Sequence, residues 1–572
     1  MPVALVLFLI SSIVSSLIFN YSLIQLPKLI GEKIKVGFEK PLALAQDTAS
    51  TTVTVRNSPP SFTVDPAESP TSSSTSPVNE TETAVLVGTA SDPESNNWYL
   101  IVCSAAGVTA HNGAAPTCTA TAYCVSGATA AGSQATCVYS NVTSAGETQA
   151  WYAYACDNHA TEADCTAVNQ GSGDSGSPLY VNHKTTINTV STTVNNRDPG
   201  QAVTITATST DTDTQGGNDQ LYLSVCSTNV YSTSTGCGAT TLCNATTTAN
   251  GATAVAMSCN YTIPTPTPDT SYTYYAFIKD WHNLASTSFS STYTVNNVAP
   301  SVDTVSLNGG ANITLNMRGQ SDKVATTTGQ FIDNNGCSDV ISATSTIYFN
   351  TAGANCAADN NTCYQILAAS CSISGCTGGS DTDGFITCST GLKYFARSTD
   401  TATGSPYSAN FWLGTVRAID NNAASGASTS PNATTDVIAL TALDVTETTI
   451  PYGTIRSSQN SGAVNATTTV QNYGNTPLDS NVYGTDMTGP ATISIMEQEW
   501  NTGNFTYGAA TSTKATSTVG AQIAGTHVPR PTGADLSSPV YWGINIPAGR
   551  PSGNYSGVNT FAAVLYSGGN WN

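Results

Sequence analysis

Charge is the first thing this chain lacks. Only 9% of its 572 residues are Asp, Glu, Lys or Arg, and of these only 17 are basic against 37 acidic, for a formal net charge of −20. Without a basic face to neutralise phosphates, a nucleic-acid partner is disfavoured. The same sign argues against an anionic membrane surface and permits cations. Helix-forming Leu, Glu and Lys are scarce after residue 45, so long helices are not expected. Cysteine is absent before Cys103 and after Cys388. No C-x-x-C pair occurs, and no His/Cys cluster has zinc spacing, which leaves disulfides in an oxidising compartment as the use for sixteen cysteines.

What the chain does contain builds strands. Thr, Ser, Ala, Asn and Gly dominate, 40% of residues are apolar, and 25 Tyr and 7 Trp supply cores. Thr, Val and Tyr suit a pleated, half-buried surface. The one long apolar run, Val3 to Ile24, could span a bilayer. Ala43 to Ala45, ahead of Gln46, fits a signal-peptidase site. A basic region before the run is missing, and Lys28, Lys33, Lys35 and Lys40 follow it. That order would leave the rest of the chain in the cytoplasm, against the cysteines, which carry more weight. Residues 1–45 therefore read as a signal peptide or membrane anchor, with membrane contact only through this segment.

Internal repeats organise the remainder. "NNWYLIVC" from Asn96 and "NDQLYLSVC" from Asn218 open two similar stretches. Cys103, Cys118, Cys124 and Cys137 correspond to Cys226, Cys237, Cys243 and Cys259, with spacings of 15, 6 and 13 against 11, 6 and 16. Each copy ends on an alternating aromatic strand that runs into Asp157 or Asp280. A looser, Cys-rich third copy ends in "FWLGTVRAIDNNAAS", which puts Asp420 in the same position. "TVRNSPPSFTV" from Thr54 and "TVNNVAPSV" from Thr294 share a V-x-N-x-x-P-S joint, and Pro keeps such joints extended. "YVNHKTTINTV" from Tyr180 holds the middle boundary. The tail lacks cysteine and again reads as strands and turns.

These A-x-D strand ends and V-x-N-x-x-P joints resemble the tandem Ig-like, cadherin-like and fibronectin-type-III-like modules of bacterial cell-surface proteins. With the strand runs and disulfides they give an all-β fold of tandem Ig-like β-sandwiches. Expected boundaries are 46–185, 186–298, 299–435 (Cys-rich, looser) and 436–572 (Cys-free). Disulfides should form within repeats. Cys156 and Cys165, nine apart around a turn, pair with each other, and Cys337, Cys356, Cys363, Cys371, Cys376 and Cys388 pair among themselves. Four cysteines in each of the first two copies leave three connectivities open.

One stretch points elsewhere. Gly173-Asp174-Ser175-Gly176-Ser177-Pro178 resembles the nucleophile loop of chymotrypsin-like proteases, and His111 and Asp157 precede it in that family's order. Only 64 residues separate His111 from Ser175, too few for most of two barrels. In the second copy the matching stretch is "NLASTSFSSTYTVNN", a loop leading to a last strand. Ser175 therefore reads as loop, and no catalytic residue is assigned.

The expected function is a non-enzymatic, secreted or cell-surface structural or adhesive protein with a protein or glycan ligand. The alternative is carbohydrate binding by the tail through Trp500, Trp542 and Tyr541, since aromatic faces stack on sugars. Acidic residues gather near both ends of each repeat: Asp92 and Glu94, then Asp157; Asp211, Asp213 and Asp219, then Asp280; Asp333, then Asp420. Calcium takes about six to eight oxygen ligands, and Asp and Asn loops meeting at a joint can supply them. Cadherin-like modules, which these repeats resemble, stiffen their joints in that way. Asp and Asn also simply make turns, because their side chains bond the local backbone.

Overall fold

The computed structural model describes residues 52–166, 178–213, 220–247, 254–431 and 435–571. The apolar N-terminal run, Ser175 and Asp219 lie outside them. Within them the chain is strands, turns and short 3-10 segments, and no helix is long and apolar enough to cross a membrane.

Four sandwiches follow one another, each around its own apolar core. The first is built from β1 (Ser61–Glu68), β2 (Val78–Asn79), β3 (Ala84–Ser91), β4 (Trp98–Cys103), β5 (Ala122–Val125), β6 (Gln134–Tyr139), β7 (Tyr152–Asp157) and β8 (Leu179–Asn182). One sheet has the order β1-β3-β6 and the other β7-β4-β5, while β8 runs parallel to β2. The second contains β9 (Thr186–Thr192), β10 (Asn196–Arg197), β11 (Ala202–Thr210), β12 (Tyr222–Cys226), β13 (Thr241–Thr246), β14 (Val255–Thr262), β15 (Ser271–Lys279) and β16 (Phe289–Val295). Its sheets are β9-β11-β14 and β10-β16-β15-β12-β13.

The third comprises β17 (Ser301–Leu307), β18 (Lys323–Ile332), β19 (Val340–Phe349), β20 (Cys363–Ile366), β21 (Cys371–Ser374), β22 (Asp383–Leu392), β23 (Trp412–Asp420) and β24 (Ser425–Thr429), in sheets β17-β18-β22-β21 and β20-β19-β23-β24. The fourth has β25 (Leu443–Val445), β26 (Ala466–Asn472), β27 (Leu478–Gly484), β28 (Gln498–Asn501), β29 (Thr513–Lys514), β30 (Ile523–Val528), β31 (Ser537–Ile544) and β32 (Asn559–Leu565). Its sheets are β25-β26-β31-β28-β29 and β30-β27-β32. The order is that of tandem Ig-like sandwiches.

Strand β11 shows why these residues fold so. In AVTITATST, Val203, Ile205, Ala207 and Ser209 face inward, and Thr204, Thr206 and Thr208 face out. The outward Thr206 and Thr204 hydroxyls meet Ser258 and Asn260 across β14, each at 2.8 Å. Period-two alternation thus fills a core and a cross-strand polar ladder together.

Every bridge closes within one sandwich. The first two copies share a pattern: Cys103–Cys118 matches Cys226–Cys237, and Cys124–Cys137 matches Cys243–Cys259. The latter pair ties one sheet to the other. Cys156–Cys165, Cys337–Cys376, Cys356–Cys363 and Cys371–Cys388 complete the set.

Candidate metal centre

At the entrance to each of the first three sandwiches an Asn arrives from the preceding segment and meets the Asp that ends the seventh strand, or directly follows it. Asn57 Nδ2 donates to Asp157 at 2.6 Å, Asn182 to Asp280 at 2.8 Å and Asn297 to Asp420 at 2.9 Å. The residue after each Asn is held as well. The Ser58 N–H donates to Glu94 at 3.4 Å, the His183 N–H to Asp213, and the Val298 N–H to Asn335 at 2.6 Å. Each of those acceptors sits two residues beyond an early Asp and donates its own N–H back to it: Glu94 to Asp92, Asp213 to Asp211 and Asn335 to Asp333, at 2.9, 3.0 and 2.8 Å. This is an Asx turn, used three times to receive an incoming chain.

The early and late acids are therefore neighbours, and Asp92, Asp157, Asp211, Asp213, Asp280, Asp333 and Asp420 are all buried, while Glu94 is exposed. Sharing a frame, the three entrances differ in what surrounds the charge. At the second, Asp213 is engaged by His183, whose Nδ1 lies 2.9 Å from Oδ1 and whose Nε2 meets the Ser144 carbonyl at 3.1 Å. Burial pulls the His183 pKa down, but the Asp213 and Ser144 hydrogen bonds and the charges of Asp213 and Glu80 outweigh it, and the imidazole titrates above its ordinary value.

The third entrance gathers three carboxylates. Ligand oxygens of Asp333, Asp339 and Asp420 all lie within 4.8 Å of one another. Asp339 is brought in by a 3-10 turn, Cys337–Asp339, anchored through Cys337–Cys376 and through Gly336, whose φ of 131° lies outside the range L side chains adopt readily. Asp333 Oδ2 and Asp339 Oδ2 are buried and accept no hydrogen bond, and neither does Asn297 Oδ1. Burial first, and then the charges of Asp339 and Asp420, push the Asp333 carboxyl up to about 6, although the Asn335 and Gly336 N–H groups pull the other way. Asp339 is raised too, by burial and then by Asp269 and Asp420. Asp269 belongs to the second sandwich, and its side chain accepts from Asn422 of the third. Buried like charges with unused oxygens are what a divalent cation neutralises and what water alone does not. The residues fit such an ion.

The fourth entrance keeps the frame and loses the acids. Asn475 Nδ2 donates to the carbonyls of Ala396 and Ile438, and its Oδ1 accepts the Leu440 N–H, as Asn335 does with Thr267, Asn296 and Val298. The carboxylate positions are different: Asn472 receives the Asx turn and Ala439 stands where Asn297 stood. Where Asp420 pairs with the first residue of β19, Leu565 pairs with the first residue of β27. A cation of the chain's own is close by. Arg530 is fully buried and donates to the Asn361 side chain and to the carbonyls of Phe395 and Trp571, at 2.8, 2.8 and 2.9 Å. Burial, and then Arg397, lower its pKa to about 10.

The other nominated side chains have ordinary surroundings. His111 Nε2 lies 2.9 Å from Thr117 in an exposed hairpin, while Asp157 is held by Asn57. Trp500 and Trp542 are buried in the fourth core and offer no ring to a sugar, and Tyr541 is half-buried.

No family model matches the chain, and no curated protein sequence does. Among solved structures it is similar to a marsupial T cell receptor, at 10% identity and a TM-score of 0.23 over 62% of this chain and 97% of that one. It is similar to the Escherichia coli adhesin FdeC at 15% and 0.19, over 65% and 98%. It is also similar to fibronectin(III)-like modules of Clostridium thermocellum CbhA at 14% and 0.18, over 40% and 94%. The fold assignment rests on the strand order described above.

Proposed function

We propose that the chain is a non-enzymatic, extracellular or cell-surface protein, structural or adhesive, in which sandwiches joined end to end carry a surface that meets a protein or glycan. The observation behind this reading is the repeated entrance frame. One set of side-chain hydrogen bonds receives the incoming chain three times and recurs in part at the fourth entrance, as in a spacer whose function lies in its joints. Eight disulfides with no free cysteine among the described residues support an oxidising location. Protease applied to intact cells tests this reading: peptides from residues 52–571 released before lysis support it, and release only after lysis refutes it.

Within this reading Asp333, Asp339 and Asp420 hold calcium at the third entrance. The ion supplies the positive charge that the three carboxylates lack, and it couples the loop of Asp269 to the third sandwich through their shared field. The second entrance, where His183 already pairs with Asp213, binds calcium less well, and the fourth does not bind it. Calorimetric titration of the full chain with calcium, repeated on Asp333→Asn, tests the assignment. Heat of binding that is unchanged by the substitution would refute it.

A further inference from the structure

Among the described residues the fourth sandwich has no counterpart of the strand that follows the seventh in the second and third. In the second, β15 lies between β12 and β16, and in the third β23 lies between β19 and β24. In the fourth, β32 pairs with β27 on one side, and among the described residues no strand pairs with its other edge. All seven residues of β32 are half-buried. Beside the first three residues of β32, Asn559 to Phe561, lies a groove of about 690 Å³ whose apolar lining includes Leu443, Val445, Ile450, Val558 and Phe561. Its floor carries a polar relay: the Tyr452 hydroxyl and Asn559 Nδ2 both donate to Gln498 Oε1, at 2.7 and 2.8 Å, while Asn559 Oδ1 is buried without a partner. An open edge beside a mostly polar groove that still offers apolar side chains is a template for one more strand.

The other end of the described chain offers a strand without a sheet. Thr52–Arg56 reads Thr-Val-Thr-Val-Arg and leads into Asn57. Asn57 holds the place at the first entrance that Asn297 holds at the third. Counting back from those two Asn residues, Val55 falls on Val295 and Val53 on Tyr293. In β16 those positions face the second core and are 2% and 5% exposed, whereas Val55 and Val53 are 81% and 85% exposed. The segment has the register and alternation of a last strand, with its inward-facing side chains in solvent.

We propose that Thr52–Arg56 of one copy of this chain completes the fourth sandwich of a second copy, adding as its last strand antiparallel to β32 with Val53 and Val55 in the groove. Main-chain hydrogen bonds to the free edge hold the strand, and the two valines set its register. Asp444 and Glu447 line the same groove, and Arg56 supplies the opposite charge. The contact is head-to-tail, so repetition gives a run of copies, open as a filament unless the rotation closes it into a ring. In it Asn57 would follow a completed sandwich, as Asn297 does. The inference goes beyond the proposed function and does not involve calcium, so the test is run in EDTA.

Sedimentation of the full chain should show oligomers that grow with concentration. Val53→Asp combined with Val55→Asp should be monomeric with an unchanged far-UV spectrum, which also controls for association through the apolar N-terminal run. That variant keeps an open slot, so a labelled peptide of residues Asp47–Ser58 should bind it. The same peptide carrying both Asp substitutions should bind at least about ten-fold more weakly. A full chain that stays monomeric, oligomers that persist in the double variant, or a peptide whose affinity ignores the substitutions would each overturn the proposal.

Discussion

The third entrance makes a prediction with two opposite signs. Without a cation, Asp333 is a buried carboxylate facing Asp339 and Asp420. Its carboxyl titrates at about 6 in the fold, against an ordinary value of 3.8. Because the unfolded chain gives up this proton first, stability falls as pH rises from 3.8 through about 6 and stays low above that. The shift is about two units, or about 3 kcal/mol at about 1.4 kcal/mol per unit. Solvent screening around the joint cuts the usable figure to roughly 1–2 kcal/mol. In EDTA at neutral pH, Asp333→Asn should therefore raise stability by roughly that amount, since the amide keeps an acceptor for the Asn335 N–H and removes the charge. Calcium reverses the order. At about a hundred times its dissociation constant an ion adds about 2.7 kcal/mol to the folded state. For a sandwich of this size that moves the melting temperature by roughly 8 °C. Asp333→Asn should lose most of that gain. Calorimetry of the full chain, with hydrogen exchange of peptides covering Phe331–Phe349 to place the effect, reads both signs. Identical melting and exchange in millimolar calcium and in EDTA would refute the reasoning.

The second entrance should respond to pH through a different group. His183 titrates above its ordinary value, so the stability from its pairing with Asp213 is complete below about 6.5 and is lost as pH rises through the folded pKa. Asp213→Asn should flatten that dependence, which hydrogen exchange around Asn182–Thr192 against pH would show. At the fourth entrance, Arg530→Met should cost about 3–5 kcal/mol, because it strips the donors from two buried carbonyls and the Asn361 side chain. Thermal melts should show that loss equally in calcium and in EDTA. Replacing both Cys337 and Cys376 by Ser frees a loop of 39 residues and should cost about 4 kcal/mol by chain entropy. It should also weaken calcium binding, because the turn carrying Asp339 is anchored there, and calorimetric titration would detect this.

Several of these groups were legible in the sequence and several were not, for physical reasons. The late acids Asp157, Asp280 and Asp420 stand out because each follows an alternating strand, and a strand shows its period in one dimension. The early acids Asp92, Asp211 and Asp333 lie in Asn- and Asp-rich turns, and the cysteine correspondence aligns the first two copies around them. Asp339 carries no such signal. It reaches Asp333 and Asp420 only because a 3-10 turn and a disulfide to Cys376 bend the chain, and neither has a period. Arg530 is harder still. Its surroundings come from Asn361, Phe395 and Trp571, whose convergence depends on how the third and fourth sandwiches meet. The open edge of β32 belongs to the same class, since a sequence displays strands but not the order in which they pair. Composition and period determine which segments become strands and which face is buried. The charges that distinguish one entrance from the next, and the free edge of β32, follow from contacts between segments far apart in the chain, where a single side chain decides whether a joint carries a carboxylate cluster, a His–Asp pair or a buried arginine.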